Sequence, residues 1–123
     1  FPPPHGTHAA PSQPVVQTAP YIDVVTHTFF ERIKPYATGR LIIVIDSNRP
    51  ELEKHQLKPD PARTRFIQLA RAAGATVIDT EPIFRAHFAQ SPLSLDVGPY
   101  DGHFNALGVS LVTQAAATTL AQP

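Results

Sequence analysis

An acid and an imidazole stand two residues apart in Tyr100-Asp101-Gly102-His103-Phe104-Asn105-Ala106-Leu107-Gly108, at the mouth of an apolar helical pattern. A carboxylate beside a histidine can hold one ring nitrogen, fix the tautomer and favour the imidazolium that forms when the other nitrogen takes a proton. That is the base half of a nucleophilic site. The same residues also fit a plain local turn, in which Asp101 caps the following helix and His103 bonds to it. A nucleophile is harder to find. Ser47, in Ile45-Asp46-Ser47-Asn48, is a hydroxyl at the end of an apolar strand and is the internal candidate. A metal site built from Asp101, His103 and His87 has no distinctive ligand spacing, so no metal or other cofactor is expected.

The elements that must position these residues follow from periodicity. Phe1 to Pro20 holds six of the fourteen prolines and no regular period, and reads as an extended arm or linker whose His5 and His8 are solvated. From Tyr21, Ile22, Val25, Phe29 and Ile33 fall three or four apart, which predicts an amphipathic helix closed by Pro35 and Gly39. Leu41 to Ile45 is apolar on both alternating faces, the pattern of a central strand in a parallel sheet covered by helices. The polar run Asp46 to Pro50 then lies at the carboxyl end of that strand, where open α/β sheets place their ligands. Glu51 to Lys58 reads as a short surface helix with His55 exposed on it.

Asp60 and Pro61 signal the start of a helix whose buried face is Phe66, Ile67, Leu69, Ala70 and Ala73. Arg63, Arg65 and Arg71 fall mainly outside that face, and Gly74 supplies the left-handed stop. Thr76 to Ile78 is a second strand ending at Asp79, parallel to the first by a right-handed crossover. Thr80 to about Ala89 reads as another helix, with His87 near its end in a structural role. Ser91 to Tyr100 reads as a loop, and Leu107, Leu111, Val112, Ala115, Ala116 and Leu120 mark a last helix. Two parallel strands alone would leave ladder groups of the Leu41 strand unpaired. The expectation is therefore a sheet completed by a missing N-terminal half or by another chain.

Composition narrows the function classes. The 123 residues are 42% hydrophobic and 16% charged, as in a globular domain. Ten basic residues balance ten acidic ones, so nucleic acid and anionic membranes are not expected partners. The chain has no cysteine, hence neither disulfides nor thiolate metal sites. No apolar run is long enough to span a bilayer.

These residues resemble the C-terminal part of the SGNH, or GDSL-like, hydrolase superfamily. The resemblance spans about residues 21 to 121. Its carriers are Leu41 to Ile45 ending in Asp46-Ser47-Asn48-Arg49, the Gly74 to Asp79 strand with Pro82-Ile83-Phe84 behind it, and Asp101-Gly102-His103-Phe104-Asn105. The last is similar to the Asp-x-His form found in a subgroup of O-acyltransferase-like proteins. The resemblance implies the C-terminal half of a three-layer α/β/α flavodoxin-like sandwich over residues 21–123, with parallel strands and the site beyond their carboxyl ends. It implies that His103 is the general base and Asp101 its orienting acid, acting on an ester or acylated carbohydrate, and that the protein is secreted or periplasmic.

The family's Gly-Asp-Ser block and its oxyanion-hole residues have no counterpart in this sequence. Ser47 imitates that block, but Ile45 stands in the glycine position and 55 residues separate Ser47 from His103, too few for the intervening family strands. Asp46, Asn48 and Arg49 at the strand end, with Phe104 and Asn105 beside the pair, are the expected substrate contacts. Asp46 and Arg49 fit equally an ion pair bracing the loop. Two functions follow: part of a serine esterase or acyltransferase, inactive alone, or a non-catalytic module that pairs through an exposed sheet edge.

Overall fold

The computed structural model describes residues 19–123. All but the last two residues of the expected arm lie outside that range. Those two, Ala19 and Pro20, open the first helix, α1 (Ala19–Ile33). Strand β1 (Ile42–Ile45) pairs in parallel with β2 (Thr76–Asp79), with Ile43 opposite Val77 and Ile45 opposite Asp79. The segment between them carries α2 (Arg49–Glu53) and α3 (Pro61–Ala72). Asp60 caps α3 by accepting the Arg63 amide at 3.0 Å, and Gly74 ends the turn at φ +93°. Only glycine adopts that conformation without a Cβ penalty.

Helix α3 packs against β2 and against α1. Phe66 meets Phe29 edge-on at 6.5 Å, and Arg65 holds Asp23 through two bonds of 2.8 and 2.9 Å. The Leu41 stretch departs from expectation. Among the described residues β1 has β2 as its only strand neighbour, so it is an edge and not a central strand. Val44 is accordingly 42% exposed, because no further layer covers it there.

Helix α4 (Thr80–Gln90) starts directly from β2, where Asp79 accepts the Glu81 amide at 2.9 Å. Its Phe84 and Phe88 join Leu52 and Leu95 in the main apolar cluster, with Phe104, Leu107 and Leu111 packed on it. Residues 91–100, expected as plain loop, contain a strand. β3 (Asp96–Gly98) pairs antiparallel with β4 (Asp101–Phe104), Asp96 opposite Phe104 and Gly98 opposite Asp101. Pro92 and Pro99 bracket a strand only three residues long, so no alternation could announce it. Helix α5 (Ala106–Ala121) follows. The result is a mixed α/β fold in which one hairpin presents Asp101 and His103.

Candidate general-base site

Asp101 and His103 lie on β4 with one residue between them, which in a strand puts their side chains on one face. The Oδ1 atom of Asp101 accepts both the His103 amide, at 3.0 Å, and His103 Nδ1, at 2.5 Å. That amide first, and the ring nitrogen second, hold the Asp101 carboxyl below its ordinary value against a weaker opposing effect of burial. An ionised carboxylate can only accept, so Nδ1 carries the proton, and in the neutral ring Nε2 keeps its lone pair. The His103 side chain is 91% exposed and that of Asp101 is 50% exposed. The arrangement therefore offers an oriented proton acceptor to whatever lies outside this surface.

Asp101 does not cap α5. Asn105 does, accepting the Gly108 amide at 3.0 Å while its own amide group donates to the carbonyls of Ser94 and Asp96 at 2.7 and 3.1 Å. With its acceptor and donors so engaged, Asn105 fastens α5 to the hairpin. Phe104 turns inward as well, meeting Phe84 edge-on at 5.8 Å.

The strand-end residues are tied to this hairpin by Arg49. Its Nη1 donates to Asp96, its Nη2 donates to the Gly102 carbonyl at 2.6 Å and lies 3.1 Å from Asp46 Oδ2, and its guanidinium sits 4.3 Å over the Phe104 ring. Asp46 and Arg49 are thus a bracing ion pair. Asn48 caps α2 through the Glu51 amide at 3.2 Å. The Ser47 hydroxyl lies 3.1 Å from the Thr80 hydroxyl, which also reaches the Ile45 carbonyl at 3.0 Å. A carbonyl cannot donate, so the Thr80 proton goes to Ile45 and Ser47 donates to Thr80. Ser47 is thereby engaged with a hydroxyl and not with an imidazole.

A second guanidinium, which helical periodicity placed on the outer face, is 13% exposed. Arg63 bonds the Asp46 carbonyl at 2.8 Å, Asp79 at 2.5 Å and Glu81 at 3.4 Å, closing the carboxyl ends of both parallel strands. The signal for it was Asp79, an acid at the end of a strand with Glu81 two residues on, which calls for a cation beside it. Beside Arg63 runs an open groove of about 920 Å³ lined by Ser47, Asn48, Asp60, Glu81 and Arg85 among others, and His103 is not part of its wall.

The other histidines among the described residues do not join the pair. His87 Nε2 meets the Leu93 carbonyl at 2.7 Å and so pins the segment after α4, while His27 and His55 are exposed. No cluster of three or more His, Cys, Asp or Glu suited to a metal ion occurs among the described residues. In comparison with models of protein families, with curated proteins and with solved structures, the chain matches none.

Proposed function

We propose that residues 21–123 form the C-terminal portion of an SGNH-type serine esterase or O-acyltransferase, built on a three-layer α/β/α sheet, and supply its Asp-His pair. The observation that carries this is the imidazole held through Nδ1 by Asp101, with no partner for Nε2 among the described residues. In the proposed reaction, Nε2 takes the proton of a serine hydroxyl lying outside these residues as that oxygen attacks the ester carbonyl. The imidazolium, stabilised by Asp101, then protonates the departing alcohol and leaves an acyl serine. Water or a sugar hydroxyl resolves the acyl enzyme, His103 again removing its proton. The Ser47–Thr80 contact favours a nucleophile from elsewhere, and the edge of β1 that is unpaired among the described residues favours a further strand beside it.

The test is ester turnover, with p-nitrophenyl acetate, by this chain joined to or mixed with a portion bearing a strand that ends in Gly-Asp-Ser. Loss of a general base costs about 10²–10⁴-fold in rate, and His103→Ala is expected to fall in that range. Unchanged turnover would remove His103 from the mechanism. The chain alone is expected to be inactive.

The same free edge of β1 supports a second reading, a non-catalytic module that adds its edge to a partner's sheet or to a second copy. Mass in solution and amide exchange separate the two. A strict monomer with well-protected β1 amides would count against edge pairing.

A further inference from the structure

The Gly102 carbonyl and the His103 amide belong to one peptide unit, and in a planar trans peptide the two groups point in opposite directions. Both ends of this unit are occupied. Arg49 Nη2 donates to the carbonyl at 2.6 Å, and Asp101 Oδ1 accepts the amide at 3.0 Å. A donor that fixes the oxygen on one side therefore fixes the direction of the N–H on the other. A cation on the oxygen also polarises the peptide and makes that N–H a better donor.

The guanidinium that does this has little freedom of its own. It is bonded to Asp96, paired with Asp46 and stacked on Phe104, and its side chain is 12% exposed. Helix α2 gives no reason for an arginine here. Arg49 is the residue directly after the Asn48 cap, in the first turn, where the helix dipole disfavours a cation. The sequence separation between Arg49 and Gly102 is 53, so the contact exists only because the fold brings the exit of β1 beside the hairpin.

We infer that Arg49 is the positioning residue of the Asp101–His103 pair: its grip on the Gly102 carbonyl turns the His103 amide onto Asp101 and so sets the carboxylate that holds the imidazole. This rests on the reading of Asp101 and His103 as a general-base pair. It accords with the electrostatics of Asp101, whose carboxyl is held low chiefly by that amide.

The experiment uses the ¹⁵N-labelled chain and two readouts: the fraction of His103 protonated at Nδ1, from long-range ¹H–¹⁵N correlations, and the exchange rate of the His103 amide. Arg49→Gln is expected to speed amide exchange about fivefold, the loss of one ordinary hydrogen bond, and to shift the ring toward protonation at Nε2. Arg49→Lys keeps the charge without the planar fork, and is expected to recover only part of both signals. Arg63→Gln removes an equally enclosed guanidinium elsewhere, and should change neither. A folded Arg49→Gln protein with wild-type values in both readouts would overturn the role of Arg49 while leaving the pair itself intact. A wild-type ring protonated at Nε2 would instead defeat the general-base reading, and with it the role assigned to Arg49. Should Arg49→Gln fail to fold, Asp96→Asn, which loosens the guanidinium without removing it, is read by the same two signals with the same expected directions, and wild-type values there would overturn the inference.

Discussion

Replacing Arg63 by glutamine tests whether the carboxyl ends of the two parallel strands are held by one cation. The change removes the bonds to the Asp46 carbonyl at 2.8 Å, to Asp79 at 2.5 Å and to Glu81 at 3.4 Å. Hydrogen bonds to charged groups contribute about 1.5–3 kcal/mol each. Breaking a buried ion pair costs about 3–5 kcal/mol because the partner is left uncompensated. Here the partners are only partly enclosed, the Asp79 side chain being 26% exposed and that of Glu81 32%. Water can solvate what the arginine leaves, and the expected cost is reduced to ~2 kcal/mol.

The pH dependence sharpens this prediction. Burial pushes the Asp79 carboxyl up, but the Arg63 hydrogen bond, the Glu81 amide and the charges of Arg63 and Arg71 together outweigh it, so the carboxyl stays below its ordinary value. A carboxyl lowered in the folded state contributes stability that is fully present above its unfolded value of about 3.9. That contribution is lost as pH falls through the lower, folded value. Without Arg63 the burial effect is less opposed, so the Asp79 carboxyl titrates at higher pH. The difference between wild type and Arg63→Gln should then be largest at neutral pH and shrink as the pH falls below the ordinary carboxyl value of about 3.9. Urea unfolding followed by far-UV circular dichroism at pH 7, 5 and 3 measures it. A difference under ~0.5 kcal/mol at pH 7, within the range of an ordinary surface change, or one independent of pH, would refute the reasoning.

Two further substitutions probe the seat of the hairpin and the first helix. A Cβ on Gly108 would stand 2.8 Å from the Leu95 carbonyl oxygen and 3.0 Å from Phe104 Cδ1. Gly108→Ala should thus lose about 1–3 kcal/mol by overpacking, despite alanine's better helix propensity, and a denaturation midpoint at or above wild type would show that α5 can move. The Thr26 hydroxyl is buried and has no hydrogen-bond partner among the described residues. Thr26→Val, which removes it at nearly constant shape, should stabilise by up to about 1–2 kcal/mol in the same unfolding assay, and a clear loss would reveal a bond made by that hydroxyl.

Local chemistry was legible in this sequence, and contacts across long separations were not. Asp60, Pro61 and Gly74 announce the limits of α3 because caps and left-handed turns depend on neighbours in the chain. The apolar runs ending at Ile45 and Ile78 give two parallel strands for the same reason: each pattern is local, and the helix between them dictates their sense. Arg63 was misplaced because helical periodicity sorts residues by apolar character and is blind to a cation drawn inward by the Asp79 and Glu81 carboxylates and the strand-end carbonyl of Asp46. Phe104 and Asn105 were expected beside a substrate. In the structure they carry the aromatic packing on Phe84 and the cap of α5, roles set by where the hairpin folds back. Asp46 and Arg49 could be read either way, and the outcome depended on Asp96 and Gly102, about fifty residues further on, lying beside them.

The general-base role of His103 requires that Asp101 hold the ring with Nδ1 protonated and Nε2 available as a base. The most direct measurement is the ring tautomer of His103 in the ¹⁵N-labelled chain at alkaline pH, where two-bond and three-bond ¹H–¹⁵N couplings distinguish the two nitrogens. A ring protonated at Nδ1 is expected in the wild type, with loss of that preference in Asp101→Asn. A wild-type ring protonated mainly at Nε2, or one whose tautomer is indifferent to Asp101→Asn, would contradict that role.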